Sequence, residues 1–244
     1  MANPEDIYAT DPPLKDEIEA LGASVNPPKT PSKPSYGIDS PLGAVGSLIT
    51  APLYLYATLR GKHQAWDALL TATSVESLLG PTIDFGCGRG MVLLKVASLK
   101  KTHGCNVKAY GIDIFNANDQ SGNSAEATYS NAASLGLLQH VALHEASFTT
   151  TLPFNDNAFT LVTSSLAIHN VSKGGRAKAI EEMARVCKPG GKIIILELAG
   201  YVGEYKDVLV RLGWKNVKCE MAGLGATFGF WPCQTLTATK PSED

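Results

Sequence analysis

Asp84-Phe85-Gly86-Cys87-Gly88-Arg89-Gly90 puts a glycine at every second position, and it narrows the possible folds more than any other stretch of the 244 residues. It directly follows a short apolar run, PTIDF at 81–85, and directly precedes a helical pattern at 89–101 with Leu93, Leu94 and Val96 as apolar contacts. Glycines there let the backbone turn sharply and approach a ligand closely, because no Cβ stands in the way. A strand, a glycine turn and a helix in succession predict an α/β unit, and open α/β sheets bind ligands beyond the carboxyl ends of their strands. The spacing is G-x-G-x-G, not the G-x-G-x-x-G of a dinucleotide fold. Asp84, two positions before the first glycine, would repel a pyrophosphate and suits a ligand carrying an ammonium or sulfonium charge.

The alternation continues to the end of the chain. VKAYGIDI at 107–114 reads as a second strand, closing on Asp113, where an acid commonly accepts the ribose hydroxyls of a nucleoside. The polar loop NDQSGNS at 117–123 leads into a helix over 124–137, with Asn123 or Ser124 as its N-cap. HVALHEA at 140–146 and AFTLVTSS at 158–165 are the third and fourth strands. RAKAIEEMARVCK at 176–188 carries Ile180, Met183, Ala184 and Cys187 at amphipathic-helix spacing, and PGG at 189–191 stops it. KIIILEL at 192–198 is an apolar strand buried on both faces. A helix over about 203–212 and strands near 215–221 and 233–239 follow; with no helix between them, the last two should pair as an antiparallel hairpin. The pattern predicts a doubly wound α/β fold whose seven-stranded sheet is mostly parallel.

The N-terminal third differs. Nine of fourteen prolines fall in the first 52 residues, so 1–35 reads as an extended, loosely packed arm with one short helix over LKDEIEAL. Residues 36–79 read as a helical lid, and 80–244 as the main domain. The stretch 41–59 has no charge over nineteen positions, yet Gly43, Gly46, Ser47, Thr50 and Pro52 dilute it below a membrane span. It is expected as short helices packed over the main domain, with peripheral membrane contact as the secondary expectation. With 21 basic against 23 acidic residues and a net charge of −2, the chain lacks the electrostatic footprint of a nucleic-acid binder. Five scattered cysteines without a C-x-x-C pair predict free thiols in a reducing compartment. The start lacks a basic n-region and an apolar h-region, which predicts a cytoplasmic protein, membrane association being confined to 41–59.

Together, the segment 84–90, GID at 111–113, LPF at 152–154 followed by DNAFTLVTSS, and RVCKPGGKIIILEL at 185–198 resemble the class I S-adenosylmethionine-dependent methyltransferases. The likeness is to their ubiquinone/menaquinone-biosynthesis subgroup and covers roughly 80–240. It implies a Rossmann-like methyltransferase fold and S-adenosyl-L-methionine as cofactor. Gly86, Gly88 and Gly90 would make room for its methionine moiety, with Asp84 near the amino group. Asp113 would hold the ribose and Ile114 would pack on the adenine. The family often has an acid four residues before the LPF leucine; this chain has Phe148 there, so Ser147 and Phe148 are the expected adenine contacts. Ser164 completes the expected cofactor set.

The resemblance also places substrate-facing groups in the loop after the fourth strand, Ser164 to Asn170. His169 is a candidate general base, with capping of the next helix as the alternative; Glu197, ending the fifth strand, is a second candidate. Asn170, Tyr54 and Tyr56, together with Phe228, Phe230 and Trp231 of GLGATFGFWP at 223–232, are expected to enclose a small apolar or aromatic acceptor. The leading expectation is methyl transfer to that acceptor by in-line displacement. The alternative is a protein that binds the cofactor for a structural or rearrangement-assisting purpose. An NAD(P)-dependent oxidoreductase is disfavoured by the glycine spacing and the lack of a Tyr-x-x-x-Lys pair. A membrane-surface module driven by 41–59 is the remaining reading.

Overall fold

The structure is a computed structural model that describes residues 7–9, 22–26, 33–36, 51–116, 122–223, 225–229 and 231–242. Five parallel strands form the centre of the sheet: β1 (Thr82–Phe85), β2 (Ala109–Asp113), β3 (Val141–Glu145), β4 (Phe159–Ser165) and β5 (Cys187–Leu198). β6 (Lys215–Met221) and β8 (Trp231–Thr239) complete it in the order β3-β2-β1-β4-β5-β8-β6, with β8 antiparallel to both neighbours. The seven expected strands and the terminal hairpin are therefore present. One element was not foreseen: the two-residue β7 (Thr227–Phe228) turns back onto the start of β8, pairing Phe228 with Trp231. The chain runs outward from β1 to β3 and then crosses to β4, so the switch point falls between β1 and β4.

The sheet is buried on both sides because alternate residues of one strand face opposite layers. β5 sends Ile193 and Ile195 to one cluster and Ile194 and Leu196 to the other. The first layer is closed by α6 (Lys173–Val186) and α7 (Ala199–Arg211), through Ile180, Met183, Val202 and Tyr205. The second is closed by α2 (Lys62–Thr71), α4 (Met91–Thr102) and α5 (Ala125–Ser134), through Trp66, Leu93 and Tyr129. Ser124 caps α5, accepting from the Ala127 amide at 3.0 Å. Pro-Gly-Gly at 189–191 is placed differently from the expectation. α6 already ends at Val186, and 188–191 bulge out of β5, so that Phe159 faces Cys187 but Leu161 faces Lys192. Arg185 holds the segment that leads into β4, donating to the carbonyls of Leu152 and Phe154 at 3.2 and 2.8 Å.

Ahead of the sheet, α1 (Ala51–Tyr56) runs through a π-helical turn (Ala57–Gly61) into α2, and α3 (Val75–Leu79) follows. The described residues of the arm pack on the main domain. Ile7 is buried, Tyr8 bridges Phe154, and the Tyr8 hydroxyl meets His144 Nε2 at 2.7 Å. Ser35 exchanges two hydrogen bonds with the Asn131 side chain on α5, at 3.0 and 2.9 Å. The short helix expected over LKDEIEAL and residues 41–50 lie outside the described residues. None of the five cysteines is in a disulfide.

Candidate functional site

A cavity of about 300 Å³ opens beyond the carboxyl ends of β1, β2 and β4, at the switch point. Its floor is the glycine loop. Gly86 and Gly90 adopt φ of +68° and +88°, in the left-handed region. A methyl group on Gly86 would stand 2.3 Å from Ala167 Cβ, so glycine is required by space as well as by conformation. The amides of Gly86 and Cys87 both donate to the Ile112 carbonyl, at 2.8 and 3.0 Å, which folds the loop over the end of β2.

Asp113 fixes that loop from the other side. Its carboxylate accepts from the Gly88 amide at 2.8 Å, the Phe115 amide at 2.6 Å and Asn123 Nδ2 at 3.1 Å. Charge-assisted bonds of this kind are stronger than neutral ones. Asp84 is almost wholly buried and accepts from Thr163 Oγ1 at 2.7 Å. Burial pushes its carboxyl up to about 7, the Asp113 charge adding to the effect and the Thr163 hydrogen bond opposing it. Two residues at the strand ends are held at positive φ, Phe115 at +50° after β2 and Leu166 at +52° after β4. Leu166 lies in the cavity wall, where backbone strain commonly marks a ligand-binding site.

His169, in the 3₁₀ turn Ile168–Asn170, and Glu197, in β5, meet as a pair. His169 Nδ1 lies 2.6 Å from Glu197 Oε1, and the His169 amide donates to Oε2 at 3.1 Å. Glu197 has no exposed surface and also accepts from the Leu198 amide at 2.8 Å. Phe228 closes on the histidine ring edge-to-face at 5.7 Å.

The cavity gathers most of the residues singled out from sequence. Asp84, Gly86, Gly88, Asp113, Ile114, Ser147, Phe148, His169, Asn170 and Phe228 all line it. Ile114 is half-exposed. Others are placed elsewhere. Gly90 shapes the loop without lining the cavity. Ser164 is fully buried and donates to the Phe85 carbonyl at 2.8 Å; its neighbour Ser165 faces the cavity instead, accepting from Trp66 Nε1 at 2.9 Å. Strand parity explains the exchange, because adjacent residues face opposite sides. Glu197 lies behind His169 rather than in the wall. Tyr56 is exposed, donates to Gln64 Oε1 at 3.1 Å and packs towards Gly225, and Trp231 is 69 % exposed; neither is among the lining residues. The Tyr54 side chain and Phe230 lie outside the described residues. Tyr36 and Lys62 line the cavity without having been foreseen.

The glycine cradle, the Asp113 carboxylate and the exposed Ile114 fit a nucleoside bearing a short amino-acid tail. Comparisons with known proteins agree with the fold. A methyltransferase-domain family matches residues 83–195. The ubiquinone/menaquinone biosynthesis C-methyltransferase of Rickettsia prowazekii is 31% identical over 140 residues, covering 57% of this chain and 52% of that protein. A demethylmenaquinone methyltransferase of Renibacterium salmoninarum is 48% identical over 50 residues, 20% of each chain. The chain thus spans about half the length of the first of these relatives. Among solved structures, geranyl diphosphate C-methyltransferase of Streptomyces coelicolor superposes with a TM-score of 0.55 at 15% identity, covering 95% of this chain and 100% of that one. The [4+2]-cyclase SpnF reaches 0.59 at 17% identity, with 94% of both chains covered. At such identities the structural neighbours show the fold alone. Residues 83–195 thus match a methyltransferase domain, and the chain is similar to the ubiquinone/menaquinone biosynthesis C-methyltransferases.

Proposed function

We propose that this protein transfers a methyl group from S-adenosyl-L-methionine to a small, apolar or aromatic acceptor. The observation that carries the reading is the single cavity in which the glycine loop and Asp113 face His169 and Phe228. Asp84, Gly86, Gly88 and Asp113 would hold the amino-acid and ribose portions of the cofactor. Ile114, Ser147 and Phe148 would take the adenine. When bound, the cofactor supplies an electrophilic methyl on a sulfonium, and displacement at that carbon depends chiefly on proximity and alignment. His169 is the group placed to accept a proton from the acceptor at Nε2, since Nδ1 is occupied by Glu197. Glu197 then acts as a positioning residue, fixing the tautomer and ring orientation. The relatives named as ubiquinone/menaquinone biosynthesis C-methyltransferases favour a carbon as the methylated atom.

Residues 36–79 would serve as the lid of this site. Gly61 packs so closely on the β6–β8 connection that a Cβ there would lie 1.7 Å from the Gly225 carbonyl oxygen. Among the described residues no helix is long and apolar enough to cross a membrane. The exposed Leu55 and Leu59, one turn apart on the outer side of the lid, support peripheral contact with a lipid surface.

The reading is tested by calorimetric titration with S-adenosylhomocysteine, using NADPH as the control, followed by turnover with hydroxylated aromatic acceptors. Micromolar binding of the first and none of the second is expected. An acceptor converted without release of S-adenosylhomocysteine would support the non-methylating use of the cofactor instead.

A further inference from the structure

Asn123 directly precedes the N-cap of α5 and lines the cavity, yet it is 6 % exposed. Its side chain is not spent on capping, because Ser124 caps the helix. The backbone is fixed on both sides. Gly122, at a φ of +65°, turns the chain just before it. Just after it, α5 is bonded to the glycine loop: Thr128 Oγ1 donates to the Gly88 carbonyl at 2.7 Å and Asn131 Nδ2 to that of Arg89 at 2.9 Å. Asn123 Nδ2 donates to Asp113 Oδ1 at 3.1 Å. Both Asp113 oxygens already receive backbone amides, so the amide atom facing this carboxylate is the donor and the carbonyl oxygen is turned away from it. That oxygen, Asn123 Oδ1, is buried and has no hydrogen-bond partner among the described residues. A buried acceptor without a donor is destabilising, and native structures keep few of them, at places with a further role.

Asp113 indicates what the donor would be. A carboxylate has about four acceptor positions, and at least three of these are taken, by the Gly88 and Phe115 amides and by Asn123. It has room for one further donor at most. A ribose carries two neighbouring hydroxyls, and both need acceptors once they leave water. Asn123 Oδ1 is the acceptor that adjoins Asp113 in the same wall.

We propose that Asn123 reads the ribose of the cofactor: its amide oxygen accepts one of the two hydroxyls and Asp113 accepts the other, so the pocket selects a ribose over a deoxyribose. The inference rests on the methyltransferase reading above and adds a residue that sets cofactor specificity. A site built to receive a hydroxyl rejects the analogue that lacks it, because its own polar group is then left buried and unpaired.

The test is calorimetric titration of the whole protein with S-adenosylhomocysteine and with its two deoxy analogues, each lacking one ribose hydroxyl. The wild type should bind each analogue at least about tenfold more weakly than S-adenosylhomocysteine. Asn123→Leu keeps the size of the side chain and removes its polar atoms. In that variant the penalty for one analogue should shrink to within about twofold while the penalty for the other persists. The analogue whose penalty vanishes identifies the hydroxyl that Asn123 receives. Wild-type binding that weakens for only one analogue, or for neither, overturns the inference. Two penalties that persist unchanged in Asn123→Leu, or that vanish together, also overturn it. The wild-type comparison needs no variant, so the inference remains open to refutation even if Asn123→Leu fails to fold. If S-adenosylhomocysteine itself does not bind, the methyltransferase reading falls and this one with it; if it binds without regard to either hydroxyl, only the role of Asn123 falls.

Discussion

His169 Nδ1 and Glu197 Oε1 lie 2.6 Å apart across 28 residues of sequence, joining a 3₁₀ turn to the fifth strand. Because the carboxylate is wholly buried and also receives the amides of His169 and Leu198, it cannot turn towards an acceptor. Its effect passes through the imidazole. His169→Ala should lower kcat by about 10²–10⁴-fold, the range associated with one general base, and leave S-adenosylhomocysteine affinity within about twofold. Glu197→Gln should lie between that variant and the wild type in kcat. Unchanged kcat in His169→Ala would make the pair structural.

Asp113 is the second point at which one side chain organises several backbone groups. Its carboxylate holds the Gly88 and Phe115 amides together with Asn123, so it shapes the cradle before any ligand arrives. Asp113→Asn keeps the size but loses the charge and turns an amide N–H₂ towards donors. S-adenosylhomocysteine binding should weaken by more than about tenfold in calorimetry, with a stability loss of about 1–3 kcal/mol by urea denaturation.

Asp84 makes binding depend on pH. Its carboxyl, raised by burial to about 7, is largely neutral in slightly acid solution, whereas a cationic ligand needs it ionised. Cofactor affinity should therefore fall as pH drops through 7. The sign for stability is opposite. The folded state holds the proton more tightly than the unfolded chain, so apo stability declines as pH rises from about 4 to about 7 and then levels off. Asp84→Asn should raise the melting temperature by a few degrees at pH 8 and leave it unchanged near pH 4. A variant melting point that tracked the wild type across this range would mean that Asp84 is not the group responsible.

The order of strands and helices was legible because it is written in local periodicity, as the Ile193–Leu196 run in β5 shows. The glycine loop was legible because its conformation demands a residue type that stands out in sequence. Side-chain partnerships were not. His169 and Glu197 each drew notice alone, yet nothing local links positions 28 apart. Ser164 and Ser165 are chemically identical, and only the strand's phase decides which one faces the cavity. β7 is two residues long, too short to have a period. Lys62 and Tyr36 come from a segment without repeating pattern, whose placement depends on contacts with distant parts of the chain.

Leu55 and Leu59 are 47 % and 63 % exposed, an apolar pair with no covering neighbour among the described residues. If the lid rests on a lipid surface, the wild type should float with anionic and neutral vesicles, and Leu55→Glu with Leu59→Glu should remain in the soluble fraction. Both sites are exposed, so the melting temperature should move by less than about 2 °C. Flotation of the double variant at the wild-type level would remove this helix as the contact.

Gly61 and Gly225 separate the lid from the cofactor site experimentally. A Cβ on Gly61 would lie 1.7 Å from the Gly225 carbonyl oxygen and 2.5 Å from its carbon, and backbone atoms cannot yield as a flexible side chain would. Gly61→Ala must therefore push α1 and the π-helical turn away from the segment that carries Phe228. The glycine loop is anchored independently, through Ile112 and Asp113, so the cradle should persist. The expected result is S-adenosylhomocysteine affinity close to wild type, kcat/KM for the acceptor reduced by about tenfold or more, and a stability loss of about 1–3 kcal/mol from the forced separation. Loss of cofactor binding equal to the loss of turnover would instead show that the lid and the cradle fold as one unit. Phe228 and Lys62 would then have to be regarded as parts of the cofactor pocket.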